Sequence, residues 1–175
     1  KFHSEAVIAS ELMKFATSGQ LYRGSKPVMW SIVEKTALAE AEVEYHEHTS
    51  HTIFVKFPVV GFRKDGDVAP VASYPAYNGK VVIWTTTPWT IPGNRAVAFS
   101  PSISYGLYEV SHAPDDNWTR AGEYLYLADE LADSAFKAGR IEAKRLRTIS
   151  ADELKSLVLA HPFRGQGFDF DVLVL

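Results

Sequence analysis

Beyond residue 50 no apolar pattern runs far before a turn-forming residue interrupts it. In residues 51–60, Ile53, Val55 and Phe57 recur at every second position, the period of a strand with one face against a core. Lys64-Asp65-Gly66-Asp67 and Tyr77-Asn78-Gly79-Lys80 read as turns, the second with the Asn-Gly pair that hairpins favour. Residues 81–84 are a short unbroken apolar run suited to a buried strand. Residues 96–99, 104–110, 123–127 and 144–148 supply further strands. Short strands have no stable face alone, and their edges invite pairing with other chains. A sheet curled on itself answers both demands. The chain is therefore expected to be mainly β with peripheral helices, a closed or nearly closed β-barrel.

Helices are expected at three places. Ile8, Leu12 and Phe15 recur at helical spacing across residues 4–18, and Gly19 supplies a stop. Residues 129–138 form a second helix ending at Gly139, and Ser150 with Glu153 makes a capping box that opens a third, running through Leu159. Residues 21–30, with Gly24 and Pro27, read as a loop entering a short strand. Residues 36–44 combine helical propensity with alternation, and both assignments stay open. At 175 residues, 46% of them hydrophobic, the chain suffices for one domain spanning residues 1–175.

Composition narrows the function. No apolar run approaches the ~20 residues that cross a bilayer. The absence of cysteine excludes disulfides and thiolate metal sites and fits a cytoplasmic protein. A net charge of −3 argues against a broad nucleic-acid-binding face, although contact with one end of an RNA strand needs no such face. The opening Lys1-Phe2-His3-Ser4-Glu5 lacks an initiator Met and a signal sequence, as expected of a cut within a longer protein.

The most unusual stretch is Trp84-Thr85-Thr86-Thr87-Pro88-Trp89-Thr90-Ile91-Pro92-Gly93-Asn94-Arg95-Ala96-Val97. It begins as a buried strand and breaks at Pro88, which has no N–H to give a ladder. Thr85, Thr86 and Thr87 thus sit where a strand frays into a loop. Their hydroxyls, with the freed backbone N–H groups, suit a small polar ligand or a developing oxyanion. Threonine is also an ordinary strand residue and the prolines can simply shape a turn, so local physics alone favours the purely structural reading over the functional one.

This segment resembles the threonine-rich editing motif of isoleucyl-tRNA synthetases, in the insert called connective peptide one. The upstream LYRGSKPVMWS and TALAEAEVEY, and the downstream GEYLYLADELADS and AHPF, are similar to the same insert, so the resemblance covers most of the chain. Valyl and leucyl enzymes read Thr-Thr-Arg-Pro followed by Glu-Thr or Asp-Thr; here Thr87 replaces the Arg and Trp89 the acid, which favours the isoleucyl member. Where some members carry Cys-x-x-Cys, this chain has Ser31-Ile32-Val33-Glu34, so no zinc is implied. The family's second editing motif, Gly-Thr-Gly followed by His and Asp, is not found, as expected if the sequence ends at Leu175 before it or omits it. His-x-Gly-His and Lys-Met-Ser-Lys-Ser are not found either, so these residues are not expected to activate amino acids.

The resemblance implies the barrel of the Val/Ile/Leu-tRNA synthetase editing domains and hydrolysis of mischarged Val-tRNA(Ile) and of valyl-adenylate. The alternatives are an acceptor-end binding module without hydrolysis, a valyl- or leucyl-type editing domain, or a structural insert. A missing methylene is worth only about 1–3 kcal/mol, a limit that isoleucyl enzymes themselves exemplify, so a second sieve is needed. Thr85, Thr86 and Thr87 are the implied catalytic residues, positioning water and the acyl carbonyl. Trp84, Trp89, Thr90 and Asn94 are implied to bind substrate. The implied partners are the tRNA(Ile) acceptor end, the valyl group and the rest of the synthetase; ATP and magnesium belong to the parent's catalytic domain, and this domain needs no cofactor.

Other residues carry weaker signals. His46, His48 and His51 invite a metal site but suit a solvated hairpin tip better. Lys137, Arg140, Lys144, Arg145 and Arg147 could meet tRNA phosphates or simply serve a helix end and a strand. His161, before Pro162, reads as structural. Asp169 and Asp171 lie near where the second motif belongs but do not match it.

Overall fold

The computed structural model describes residues 1–64, 66–73 and 78–175. Asp65 and Tyr77, each within a predicted turn, lie outside the described residues. The chain groups into two units, Lys1–His48 and Thr49–Leu175. In the first, helix α1 (Phe2–Thr17) forms where the spacing predicts and ends at Ser18, with Gly19 at φ 74° beyond it. A small hairpin pairs β1 (Trp30–Ser31) with β2 (Thr36–Ala37). Ser31 donates its hydroxyl to the Glu34 carboxylate and accepts from the Glu34 N–H at 3.2 Å, closing the turn between the strands. The open assignment of residues 36–44 resolves into β2 and a 3-10 turn at Glu40–Glu42. Residues 43–52 contain no strand, so the hairpin-tip reading of the three histidines is not met.

The second unit is built on a nine-stranded sheet. Its strands are β3 (Ile53–Lys64), β4 (Asp67–Pro70), β5 (Lys80–Thr85), β6 (Ala96–Val97), β7 (Tyr105–His112), β8 (Tyr124–Ala128), β9 (Glu142–Ile149), β10 (Leu157–Ala160) and β11 (Asp171–Val174). The order is β6-β11-β10-β3-β5-β8-β7-β9, with β4 paired to β3. β3 and β4 pair as a hairpin across the stretch that reads as a turn, with Lys64 opposite Asp67; strand β4 itself is not among the expected strands. Most pairs are antiparallel, but β5–β8 and β6–β11 run parallel.

The sheet curls. Val97 on edge strand β6 and Ile149 on edge strand β9 belong to one core cluster with Phe57, Val81, Leu107, Tyr126, Leu159 and Val174. Opposite ends of the strand order thus share an interior. No pairing between β6 and β9 is seen among the described residues, so the mainly-β expectation holds while the ladder itself stays open. The outer face carries Val82, Tyr108, Val110, Leu125 and Leu127, covered by Ala132 and Ala135 of helix α2 (Asp129–Gly139). Each fully buried aliphatic or aromatic side chain contributes about 1.5–3 kcal/mol by leaving water.

Two boundaries differ from expectation. The third helix, α3 (Ala151–Ser156), is opened by Ser150, whose Oγ accepts from the Glu153 N–H at 3.2 Å. It stops at Ser156 instead of running through Leu159, and residues 157–160 form β10, with all four buried. Spaced by 100° around a helix, Leu157, Val158, Leu159 and Ala160 could not all face one core. As a strand between β3 and β11 the run is covered on both faces. At the end of α2 the left-handed residue is Arg140, φ 52° and ψ 45°, not Gly139. Gly139 serves a close approach: a Cβ there would lie 2.5 Å from Trp118 Nε1.

Candidate functional site

β5 loses its partner at Thr85, which faces Ile53 at the last position of the β3–β5 register. Thr86 and Thr87 lead into a 3-10 turn at Pro88–Gly93, which starts where Pro88 ends donation to a ladder. Thr85 Oγ1 accepts from the Thr87 N–H at 3.1 Å and lies 3.3 Å from Thr87 Oγ1. Thr87 Oγ1 in turn lies 3.3 Å from Thr90 Oγ1. The Thr90 hydroxyl donates to the Thr87 carbonyl at 2.7 Å, and the Thr90 N–H donates to the same oxygen at 3.0 Å. Each hydroxyl has one proton to give. With Thr90 committed to the carbonyl, Thr87 can donate to Thr90 and Thr85 to Thr87, a directed chain of three alcohols.

Thr86 stands apart. It is exposed, and among the described residues its hydroxyl makes no hydrogen bond. The three adjacent threonines therefore divide: Thr85 and Thr87 organise the frayed strand end together with Thr90, and Thr86 presents an uncommitted alcohol. Trp84 and Trp89 are 47% and 70% exposed, so neither is a core residue. Asn94 closes the turn through its N–H, which donates to the Ile91 carbonyl at 3.0 Å. Its side-chain Oδ1 is buried without a hydrogen-bond partner among the described residues. A buried acceptor left unpaired loses on the order of 1–3 kcal/mol, so a donor arriving there would be favoured.

A cavity of about 230 Å³ opens where β5 and β8 part after the Val81–Tyr126 pair. Ile83, Trp84, Phe99, Ile103, Tyr105 and Leu131 help to line it, and its wall is mostly apolar. It adjoins Trp84 and is not lined by the three threonines.

Among the described residues no carboxylate hydrogen-bonds to the threonine cluster. Asp169 accepts from the Gly165 N–H at 2.6 Å, and Asp171 is paired with Arg164, so each is occupied within its own loop. No group of three His, Asp or Glu side chains among the described residues could hold a metal ion. Arg145 is held by Asp129 at 2.9 Å and Arg147 by Glu153 at 2.5 Å, which leaves Lys137, Arg140 and Lys144 without an ion pair among the described residues. The basic stretch is thus partly spent on the fold. No helix among the described residues is long and apolar enough to cross a membrane.

The sequence reading did not foresee what supports the turn. His161 is buried at 1% exposure, and its Nε2 lies 2.8 Å from the Ile91 carbonyl. Only its place beside Pro162, which favours extended backbone, hinted at a fixed position.

The sequence profile described as tRNA synthetases class I (I, L, M and V) matches residues 1–159, and the chain belongs to that family. Within it, the chain is 55% identical to the isoleucine–tRNA ligase of Rhodopseudomonas palustris over 177 residues, 99% of this chain and 17% of that protein. The isoleucine–tRNA ligase of Bartonella quintana is 60% identical over 164 residues, 94% of this chain and 16% of that protein. That of Brucella abortus is 55% identical over 174 residues, 99% and 17% respectively. The chain spans about a sixth of the length of these curated relatives. They agree with the isoleucyl resemblance of the threonine segment.

Proposed function

We propose that the unit Thr49–Leu175 is an editing site that hydrolyses wrongly attached valyl groups, from Val-tRNA(Ile) and from valyl-adenylate, within a cytoplasmic isoleucine-tRNA ligase. The observation that carries the proposal is the division of labour at the end of β5. One free, exposed alcohol, Thr86, is held beside an internally bonded chain of three others, and the same segment, residues 84–97, carries a buried, unpartnered amide oxygen on Asn94. In this reading the curled sheet is the barrel of these editing domains. The tRNA acceptor end and the rest of the synthetase are its partners, and ATP and magnesium act elsewhere in that enzyme.

Water adds its oxygen to the acyl carbon of Val-tRNA(Ile), the bond from that carbon to the ribose oxygen breaks, and the ribose oxygen leaves with a proton; in valyl-adenylate the bond that breaks is the one to the phosphate oxygen, and AMP leaves. Threonine alcohols are too weakly basic to deprotonate water at neutral pH. Thr86 instead holds the water or the acyl carbonyl by a hydrogen bond, while Thr85, Thr87 and Thr90 fix the loop that presents it. Backbone N–H groups at the frayed strand end support the oxyanion. A neighbouring ribose hydroxyl of the substrate carries the proton. Asn94 Oδ1 accepts from a ribose hydroxyl or the substrate ammonium, and Trp89 offers a face for the terminal adenine. The apolar hollow beside Trp84 supports an aliphatic acyl group, although its volume alone does not separate valyl from isoleucyl.

The exposed indoles of Trp84 and Trp89, with no carboxylate at the cluster, favour a second reading: a module that binds the acceptor end without hydrolysis. Release of valine from Val-tRNA(Ile) by this chain, with Ile-tRNA(Ile) spared, separates the two. Thr86→Ala should slow that release by about ten- to a hundredfold. An unchanged rate removes Thr86 from the site, and binding without release establishes the second reading.

A further inference from the structure

We infer that His161 is a positioning residue for the threonine rim, tethering the turn Pro88–Gly93 to the end of β10. The tether itself stands on geometry; its consequence for catalysis rests on the hydrolytic reading above.

The turn needs an external support. It contains two prolines and closes by two short-range bonds, Thr90 N–H to Thr87 O and Asn94 N–H to Ile91 O, each 3.0 Å. Runs of 3-10 geometry hold themselves weakly. Trp89, Thr90, Pro92 and Gly93 are exposed, and Ile91 is the turn's buried residue. Among the described residues, no hydrogen bond other than that of His161 links residues 88–93 to a part of the chain distant in sequence. Seventy positions away, His161 meets Ile91 at its carbonyl, so the side chain and the backbone of one residue together fasten the turn.

The roles of the two ring nitrogens follow from their partners. The Phe163 N–H donates to Nδ1 at 3.1 Å, so Nδ1 carries no proton and Nε2 does. Nε2–H then donates to the Ile91 carbonyl, whose other lone pair already accepts from Asn94. The ring is held in that orientation by aromatic neighbours. Phe168 stacks on it at 5.1 Å, Phe170 lies at 5.0 Å and Phe163 at 5.7 Å. Phe170 also lies 3.8 Å beneath the Arg95 guanidinium, on the residue that follows Asn94. The C-terminal side of the turn thus leads to the same imidazole by two routes: Ile91 and Asn94 through the Ile91 carbonyl, and Arg95 through Phe170.

Two substitutions divide the ring's functions. In His161→Gln the terminal amide nitrogen replaces Nε2–H and keeps the bond to Ile91, while the Phe163 N–H loses its acceptor. In His161→Asn the amide oxygen replaces Nδ1 and keeps the Phe163 bond, but nothing reaches Ile91. Amide hydrogen exchange of the full chain reads the outcome. The Asn variant should accelerate exchange at Thr90 and Asn94 by about tenfold relative to the β10 amide of Leu159, and the Gln variant should stay near the parent protein. Equal behaviour of the two variants, or acceleration at Leu159 to the same degree, overturns the tether. If neither variant folds, nitrogen spectra of the unaltered His161 ring decide: a slowly exchanging Nε2–H supports the tether, and an Nδ1–H form overturns it. Deacylation of Val-tRNA(Ile) is a separate arm. If the exchange rates split as expected and the unaltered chain releases no valine, the hydrolytic reading fails and the tether stands. If the unaltered chain is active and both variants retain its kcat, the positioning role fails and the hydrolytic reading stands.

Discussion

Replacing Glu123 with glutamine removes the single anion from a cluster that joins β3, β5 and the loop before β8. Lys56 Nζ lies 3.0 Å from one carboxylate oxygen and Lys80 Nζ 2.8 Å from the other, and the Thr119 hydroxyl donates to Glu123 at 2.6 Å. Lys56 also donates to the Trp118 carbonyl and lies over the Trp118 ring at 4.9 Å. Burial pushes the Glu123 carboxyl up, but hydrogen bonds from Lys80, Thr119 and Lys56 together outweigh it and hold its pKa at about 2, against an ordinary 4.5. That difference corresponds to about 3 kcal/mol of preference for the charged carboxylate in the folded state. Solvent reaches the side chain, 23% exposed, and lowers the figure to about 2 kcal/mol. Because the folded value lies below the unfolded one, this stabilisation is complete above about pH 4.5 and is lost as the pH falls towards 2. At neutral pH the Gln variant leaves Lys56, 16% exposed and already pushed below its ordinary pKa by burial, without its anion. The expected loss is about 2–3 kcal/mol, or a fall of about 5–10 °C in Tm. Urea unfolding followed by far-ultraviolet circular dichroism at pH 7, 5, 4 and 3 measures both proteins. The gap between them should narrow steadily below pH 5. A gap under about 0.5 kcal/mol at pH 7, the scatter of ordinary surface substitutions, or one that stays constant down to pH 3, refutes the reasoning.

Other consequences of the fold are equally direct. Leu159→Ala, at a fully buried position of β10, should cost about 2–5 kcal/mol, seen as a lower urea midpoint with an unchanged slope. A loss below about 1 kcal/mol would deny the central-strand placement. Gly139→Ala gains about 1 kcal/mol of helix propensity but drives a methyl group against Trp118, an overpacking of about 1–3 kcal/mol, so its thermal midpoint should fall. Arg140→Gly relieves about 1–2 kcal/mol of left-handed backbone and gives back about 0.4–1 kcal/mol through the freer unfolded chain, so its midpoint should rise. The opposite ranking of these two variants would move the helix stop back to Gly139.

What the sequence discloses here is periodicity. Ile53, Val55 and Phe57 announce β3, and Ser104 to Val110 announces β7, because a two-residue period survives in any sheet that buries one face. Pairing is a different matter. Nothing local says that β5 and β8 run parallel for two residues and then part, yet that parting opens the cavity beside Trp84. The threonine cluster shows the same limit at smaller scale. Three consecutive Thr residues mark the strand end, but which hydroxyl remains free depends on the turn geometry. Thr87 reaches both Thr85 and Thr90, and Thr86 reaches neither. The prolines show that the strand breaks and not how the loop folds back.

The boundary misread at Ser156 bears directly on the site. Ser150 begins a helix by a sound local signal, and Leu157 to Ala160 is equally apolar whether helical or extended, so length alone favours continuing the helix. The decision is tertiary. An open slot between β3 and β11 accepts a strand whose every side chain is buried, and a helix of that composition has no such slot. Once residues 157–160 are extended, Pro162 holds the residue before it away from helical backbone. His161 then stands at the end of a central strand, with its Nε2–H on the Ile91 carbonyl. Continuing the helix instead would move residue 161 by about 1.8 Å for each residue no longer extended, on the order of 7 Å over four. That displacement is more than twice the length of the hydrogen bond it would have to keep. The strand choice at Leu157 and the posture of the threonine turn are therefore one structural event, joined through a single imidazole.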